Sequence, residues 1–323
     1  MRVATSLAVA AVLCSATAQA NQLDALAWLG KIVTAAHQQS YAGTYIHQVG
    51  NRVETFKVVH TRDEWGEHEK LEMLDGMPRE VVRNNDEVLC FESDDKNVVV
   101  EKRKPRNTFP TLFSGNAAPI TENYTVKLGD TGRVSGILCQ NVLLDPKDNY
   151  RYRHKLCADS SSGILLRIST LNDNGDVVAQ TAFTQVTIGG KIDKEQLKPK
   201  LTGKKVVIAT DRPTLSNIQN VDPNWNVTAL PPGFTRTMAF KRNLPGKEQP
   251  VSQLVFSDGM ASVSVFIEPL SGNAKPMQGL SSQGGINVFA KPVENHQVTV
   301  LGEVPSATVT LIGNAVVYNK GKP

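Results

Sequence analysis

After residue 20 the sequence contains no apolar run long enough to span a bilayer, which takes roughly 20 strongly apolar residues. The excess of positive over negative charge is also small: the formal net charge is +4, too small for a nucleic-acid-binding surface. No serine-hydrolase elbow, phosphate-binding loop, dinucleotide fingerprint or zincin motif occurs. We therefore expect a soluble binding protein that is not an enzyme, uses no cofactor or metal and binds no nucleic acid.

The first 20 residues have the three parts of a secretory signal peptide. They begin with Met1-Arg2, continue through a short apolar centre at 7–13 and end in Ala-Gln-Ala at 18–20. A membrane anchor is disfavoured, because the stretch is short and rich in Ala, Ser and Thr. Residues 1–20 are predicted to direct export and to be removed.

Three cysteines remain after residue 20. Cys139 and Cys157 flank the turn at 145–149, and counting outward from it places them opposite or nearly opposite each other on a hairpin. Directly opposed residues lie about 4.5–5.5 Å apart at Cα, within disulfide range, and exported proteins meet an oxidising environment. A Cys139–Cys157 disulfide is predicted; two free thiols are the alternative, because a one-residue slip would turn the side chains to opposite faces. Cys90 is expected to be buried.

Residues 22–39 repeat apolar side chains at helical spacing and are predicted to form one amphipathic helix. From residue 41 the pattern changes to short β-rich runs between turn residues, such as the hairpin through Gly50-Asn51. This pattern indicates an antiparallel meander, a sandwich or an open barrel. The predicted strands cover 41–49, 53–60, 69–74, 79–83, 87–91, 97–102, 123–128, 137–144, 150–157, 164–171 and 177–188.

The remaining segments set the domain organisation. Residues 104–119 hold three prolines and are predicted to be a short helix or loop that places aromatic side chains on the sheet. Polar residues 192–220 are the best candidate linker between a first domain at 21–191 and a second at 221–323. In the second, β-rich runs around Asp258-Gly259 predict a hairpin. Residues 269–285 are predicted to be flexible, and 309–316 fit a helix or a strand.

Two charged groups are candidates for chemistry. His60, Asp63, Glu67 and His68 would bind zinc only if a tight turn brought them together. A solvated hairpin end is favoured, because structural zinc sites use four ligands, often in recognisable cysteine pairs. Asp145, Asp148, Arg151 and Arg153 are interpreted as a hairpin tip with surface ion pairs, which contribute little stability.

A bent sheet with a helix over its inner side could leave an apolar groove of the kind that holds lipids. An ordinary filled core is the alternative, and composition alone favours it. The side chains available to line such a groove are Trp28, Leu29, Ile32, Phe109, Leu112 and Phe113.

Seven segments spread over nearly the whole chain after residue 20 carry a resemblance. They read YAGTY at 41–45, LDGMPREVVR at 74–83, RVSGI at 133–137, DPKDNYRY at 145–152, DSSSGILL at 159–166, LPPGF at 230–234 and DGMASVSVFIE at 258–268. In this order they resemble the RseB/MucB family of periplasmic regulators.

The resemblance implies an α+β fold in two parts. The larger would be a LolA/LolB-like open antiparallel β half-barrel with helices on its concave face, and the smaller a C-terminal α+β domain that helps to bind the partner. The implied function is negative regulation of the sigma-E (AlgU-type) envelope stress response in the periplasm. The chain would bind the periplasmic region of an RseA/MucA-type anti-sigma factor and shield it from a DegS-type site-1 protease. Lipopolysaccharide or a related amphiphile would release the complex.

Site residues follow as expectations. Basic residues near an acyl groove would attract lipid phosphates; the candidates are Lys102, Arg103, Lys104 and Arg106, with a solvated loop as the alternative. Surface chemistry of the second domain offers contacts for the anti-sigma factor at Phe234, Arg236, Lys241, Arg242 and Phe266.

Homo-oligomerisation stays open. The rival function is a periplasmic lipid or lipoprotein carrier of the LolA/LolB type, although a simple carrier does not need a second domain.

Overall fold

The computed structural model describes residues 7–93, 98–103, 108–111, 118–201, 206–208, 221–222, 224–242, 249–270 and 275–319. At 7–21, 98–103, 118–119, 206–208 and 242 it describes the backbone alone. The helices in these ranges are α1 (Leu7–Gln38), α2 (Ala118–Asn123), the short 3-10 helix η1 (Lys194–Leu197) and α3 (Ser306–Ala315). None of the helices in the described ranges is long and apolar enough to cross a membrane.

A large sheet of twelve strands forms the first unit. In space its strands follow the order β12-β6-β5-β4-β3-β2-β1-β11-β10-β9-β8-β7, antiparallel except for the β12–β6 pair. The strands are β1 (Tyr41–Val49), β2 (Arg52–Asp63), β3 (Gly66–Met73), β4 (Arg79–Asn84), β5 (Glu87–Ser93), β6 (Val98–Arg103), β7 (Tyr124–Val134), β8 (Ile137–Pro146), β9 (Arg153–Asp159), β10 (Leu165–Leu171), β11 (Val177–Ile188) and β12 (Val206–Ile208).

A six-stranded antiparallel sheet and a two-stranded sheet form the second unit. The six strands follow the order β14-β15-β16-β19-β18-β17, and β13 pairs with β20. The strands are β13 (Trp225–Val227), β14 (Thr235–Arg242), β15 (Val251–Ser257), β16 (Ser262–Pro269), β17 (Gly279–Gln283), β18 (Ile286–Val293), β19 (His296–Gly302) and β20 (Val316–Tyr318).

Each unit buries its own core. In the large unit, α1 packs Ala25, Leu29 and Ile32 against the sheet side that carries Tyr45 and Val58. These α1 positions recur every three or four residues, so one stripe of the helix faces the sheet. In the small unit, Val309 and Ile312 of α3 pack against inward-facing valines and isoleucine of β16 and β19. The open large sheet with a helix on its inner side, and the smaller α+β unit, confirm the predicted fold class.

Local predictions mostly agree with these elements. The helix expected at 22–39 is the second half of α1, the Asp258-Gly259 pair joins β15 to β16, and residues 306–315 are helical rather than extended. The expectation of flexibility for 269–285 is wrong at 279–283, which pair as β17 with β18. Within the predicted linker 192–220, the described residues include η1, and the backbone of Lys200 and Leu201 donates to Glu80 on the outer face of the large sheet.

Cys139 and Cys157 form a disulfide between β8 and β9, with Cα atoms 5.4 Å apart. The ladder pairs Asn141 with Cys157 and Cys139 with Asp159, so the cysteines occupy diagonal positions on one face. Both are fully buried in the large core. Cys90 is a buried free cysteine on β5.

Candidate functional site

A cavity of about 600 Å³ lies on the inner face of β1–β5. Because side chains alternate between faces along a strand, every second residue of these strands contributes to it. Tyr45 lines it, and the centre of its ring lies 5.2 Å from that of Phe56 and 5.0 Å from that of Phe109. The apolar lining is Tyr45, Phe56, Leu71, Met73, Val81, Val88 and Phe109.

The arginines and glutamates of the lining lie in two places. Arg52 and Arg79 lie where the strands end, paired with Glu54 at 2.5 Å and Glu92 at 3.4 Å. The Arg52 side chain is 78% exposed, so this end is the mouth. Glu69 and its cross-strand neighbour Arg83 lie four residues beyond Arg79, about 13 Å along the strands, and eight residues beyond the level of Arg52. The cavity is therefore an apolar space with ion-paired arginines at its mouth and the neighbours Glu69 and Arg83 at depth.

Two neighbouring carboxyl groups on β3 have opposite environments. Burial alone would raise the pKa of Glu67, but hydrogen bonds from His37 and His60 and the Arg83 charge hold it well below its ordinary value. Burial raises the pKa of Glu69. Its Oε1 accepts from Thr108 Oγ1 at 3.3 Å, and its Oε2 has no hydrogen-bond partner within the described ranges.

The second feature is the contact between the two units, here called the joint (Asp148, Arg151, Pro232, Phe234 and Asp258). The Arg151 side chain, between β8 and β9, is fully buried, and its Nε donates to Asp258 Oδ2 at 2.6 Å. Its terminal nitrogens donate to the Asp148 carboxylate and the Pro232 carbonyl. The Phe234 ring centre lies 5.1 Å from Cζ. A buried cation from the large unit is thus enclosed by groups of the small unit.

Three further contacts connect the units. Thr308 Oγ1 donates to the Tyr150 carbonyl at 2.7 Å, and Asn287 Nδ2 donates to Tyr152 Oη at 2.9 Å. The β1–β2 turn also meets the β17–β18 turn: a Cβ placed on Gly284 would lie 2.8 Å from the Gly50 nitrogen. The backbone φ is +57° at Gly50 and +58° at Gly284, so a side chain at either position would be strained as well as crowded.

Both units match models of one protein family. Residues 24–201 match the MucB/RseB N-terminal domain and residues 219–317 match the MucB/RseB C-terminal domain. The chain belongs to the MucB/RseB family.

Individual relatives agree with this over almost the whole chain. The sigma factor AlgU regulatory protein MucB of Pseudomonas aeruginosa is 28% identical over 91% of this chain and 90% of its own. The sigma-E factor regulatory protein RseB of Haemophilus influenzae is 23% identical over 95% of both chains. The crystal structure of MucB in complex with MucA(peri) matches 92% of this chain and 100% of its own at 27% identity, with a TM-score of 0.72.

In this MucB/RseB chain the residues predicted to line one groove lie in different places. Leu29 and Ile32 are buried in the closed core, and Trp28 is half-buried with Lys31 Nζ 4.5 Å from its ring centre. Phe109 lines the cavity, while Leu112 and Phe113 lie outside the described residues. The helix therefore fills the core, and the cavity is formed by the strands that follow it.

The predicted headgroup residues are not described at side-chain level. Lys102 and Arg103 lie on β6, and Lys104 and Arg106 lie outside the described residues. The basic side chains that line the cavity are Arg52, Arg79 and Arg83. The Arg-Glu-Val-Val-Arg sequence at 79–83 places Arg79, Val81 and Arg83 on one face, a period-two signal that sequence reasoning missed.

The residues predicted to contact the anti-sigma factor differ in their burial. Phe234 is buried in the joint against Arg151, so its neighbours are in the same chain. Arg236 is exposed, Lys241 and Phe266 are half-buried, and only the backbone of Arg242 is described.

The prediction that Asp145, Asp148, Arg151 and Arg153 form a hairpin tip with surface ion pairs is wrong for Arg151. Arg153 and Asp145 form the expected surface pair, at 2.5 Å with Arg153 49% exposed. Arg151 does not belong to that surface, because the small unit encloses it. In the other charged group, His60 contacts Glu67 and His68 contacts Asp63, as separate pairs.

His154 is a buried histidine whose protonation makes the stability of the fold depend on pH, and the charge of Asp258 in the joint acts on it. It is buried on β9, with Nδ1 3.3 Å from Thr170 Oγ1. Burial lowers its pKa to about 4, against the opposing charge of Asp258. An unfolded histidine titrates near pH 6.5, so between about pH 6.5 and 4 the unfolded chain binds a proton that the folded chain does not.

Stability should therefore fall as the pH is lowered through that window. His154→Gln should flatten the curve there, because glutamine does not titrate. Thermal unfolding of both proteins between pH 7.5 and 4 measures the difference. An equal acid-induced loss in the variant would show that His154 does not control it.

Proposed function

We propose that this chain binds the periplasmic region of an RseA/MucA-type anti-sigma factor. The observation that carries the proposal is its likeness, across both units, to a MucB that was solved together with MucA. The joint supports it, because a buried ion pair between the units gives a partner two surfaces in a defined relative orientation.

In this proposal the chain acts in the periplasm after residues 1–20 are removed. Domains at 21–191 and 221–323, joined by 192–220, cover the anti-sigma factor against a DegS-type site-1 protease. The anti-sigma factor then stays intact, and the sigma-E (AlgU-type) factor stays inactive.

Lipopolysaccharide or a similar amphiphile releases the complex by entering the cavity. A volume of about 600 Å³ is in the range of ligand sites, and Arg52 and Arg79 at the mouth suit an anionic headgroup. A ligand can dissociate the complex only if its affinity for the free and bound forms differs.

Residues 21–323 should form a complex with the periplasmic segment of the anti-sigma factor from the same organism. Calorimetry measures binding, and light scattering gives the number of copies of each chain. Bound segment should resist a DegS-type protease, and lipopolysaccharide should restore cleavage. Absence of binding would reject the regulatory function; binding that lipopolysaccharide leaves unchanged would reject the release step alone.

Val81→Trp is the matched variant for the release step. Val81 lines the cavity and lies away from the joint, so tryptophan should occupy the space that the lipid needs. The variant should protect the anti-sigma segment as the wild type does and should respond more weakly to lipopolysaccharide.

The cavity also supports a second candidate, a lipid or lipoprotein carrier of the LolA/LolB type. A carrier would bind the amphiphile and transfer it to an acceptor, without any affinity for the anti-sigma segment. The same binding experiment therefore separates the two functions.

A further inference from the structure

His47 on β1 lines the cavity near its mouth. Its Nδ1 lies 2.8 Å from Thr181 Oγ1 on the adjacent strand β11, which holds the ring against that strand. Nε2 has no hydrogen-bond partner in the part of the chain that the structure describes, yet it is not one of the solvent-inaccessible unpaired atoms there. The half-buried ring therefore has its second nitrogen available to a group inside the cavity.

The level of His47 along the strands lies between the two arginines of the mouth. Its ladder partner is Glu54, which lies two residues inward from Arg52. Phe56, two residues further in, lies at the level of Arg79. A rise of about 3.4 Å per residue places each arginine about 7 Å from the level of His47. An amphiphile whose tail lies on Phe56 and whose head reaches Arg52 therefore passes His47.

The mouth is close to electroneutral while His47 is uncharged. Arg52 pairs with Glu54 at 2.5 Å and Arg79 pairs with Glu92 at 3.4 Å, so two cations face two anions. Protonation of His47 makes this group of side chains net positive. The histidine thus decides whether the mouth attracts an anion more strongly than a neutral group.

The surroundings of His47 keep it uncharged at neutral pH. Burial lowers its pKa below the ordinary value, while the Glu54 charge opposes this shift and the Arg52 charge adds to it. Strand β11, on the other side of the ring, faces it with the uncharged hydroxyl of Thr181. The other charged groups of the lining are Glu69, Arg79 and Arg83. An anion bound beside Nε2 raises the pKa of His47, because an opposite charge favours the protonated ring.

We propose that His47 forms part of the headgroup site and that its protonation tightens the binding of an anionic amphiphile. The inference rests on the proposed entry of such an amphiphile into this cavity. The neutral ring can donate one hydrogen bond from Nε2, and the protonated ring donates a charge-assisted one, which is stronger. Because the bound anion raises the pKa of His47, the added affinity is complete below the pKa of the free protein. It is lost as the pH rises through the pKa of the complex.

Calorimetry on residues 21–323 at pH 8 and pH 5.5 tests the inference with two ten-carbon probes. Decanesulfonate carries one negative charge at both pH values and decyl methyl sulfoxide carries none, so neither probe titrates. Both are used below the concentrations at which they form micelles. The sulfonate should bind roughly 3- to 10-fold more tightly at pH 5.5, the difference expected between a neutral and a charge-assisted hydrogen bond. The affinity for the sulfoxide should change little.

The number of protons taken up on binding is a second readout. Near pH 6, the heat of sulfonate binding in two buffers with different ionisation enthalpies gives this number. The wild type should take up as much as one proton. His47→Gln should take up almost none, because glutamine can keep the hydrogen bond to Thr181 but does not titrate. A histidine that only packed the cavity wall would show no such uptake.

Matched variants assign the effect to His47. His47→Gln should bind the sulfonate equally at both pH values, and His47→Lys, which stays charged, should bind it tightly at both. His68→Gln is the control, because His68 contacts Asp63 and Asn84 and does not line the cavity; it should retain the pH dependence. Circular dichroism at both pH values checks that each variant is folded.

The outcomes separate the role of His47 from the function on which it rests. Equal affinity of the wild type for the sulfonate at both pH values, or a pH dependence that persists in His47→Gln, overturns the role of His47 and leaves the cavity as an amphiphile site. Binding of neither probe at either pH rejects the amphiphile site, and the inference with it. Complex formation with the anti-sigma segment is measured separately and stands or falls by itself.

Discussion

Replacing Arg151 with alanine is expected to lower the free energy of unfolding by about 3–5 kcal/mol, the loss typical of breaking a buried ion pair from one side. The variant leaves the Asp258 carboxylate buried without its cation, since both side chains of the pair are fully buried. It also removes the donors to Asp148 and Pro232. Urea unfolding followed by circular dichroism measures the change.

Arg153→Ala is the matched control for this prediction. Arg153 belongs to the same hairpin, but its pair with Asp145 is solvent-exposed, so its loss should cost about 0–1 kcal/mol. Adding Asp258→Asn to Arg151→Ala should recover part of the stability, because it removes the unpaired charge. Equal effects of the two arginine substitutions would mean that the joint contributes no more than a surface contact.

Removing the disulfide by Cys139→Ala with Cys157→Ala is expected to lower the free energy of unfolding by about 3 kcal/mol. The crosslink closes a segment with a sequence separation of 18 and thereby restricts the unfolded chain. Urea unfolding of the oxidised wild type and the double variant gives the difference.

A reductant separates the crosslink from the packing of its two residues. Dithiothreitol present during unfolding should destabilise residues 21–323 of the wild type and leave the same residues of the double variant unchanged, since Cys90 is the one cysteine left in that range of the variant. Loss of stability in the variant with no effect of reductant on the wild type would assign the change to lost packing instead.

The sequence predicted the features that depend on nearby residues. Alternating apolar positions and the Asp258-Gly259 turn locate strands and hairpins, because strand faces and tight turns are set within a few residues. The helical spacing of Leu29 and Ile32 likewise identifies the buried stripe of α1. Length and the polar segment at 192–220 indicated two domains, and the family resemblance supplied the fold of each.

Features that depend on distant residues were not predictable in this way. Arg151 and Asp258 are 107 positions apart, and neither has a local pattern that distinguishes it from a surface charge. The cavity depends on how five strands curve together, so its lining could be listed only after their registers were known. For the same reason the predicted groove uses the apolar side chains of α1 and of the 104–119 segment, which are the more visible signals, and misses the strand residues.

The close approach of Gly50 and Gly284 limits how the two units can move. Together with the Arg151–Asp258 pair it gives two separate points of attachment. A rotation that keeps the ion pair intact has its axis through that pair, and it separates the two glycine turns unless the axis also passes through them. Arg52 is two residues from Gly50 and lines the cavity mouth. The glycine contact that limits rotation of the small unit on the large one therefore lies next to the opening of the cavity.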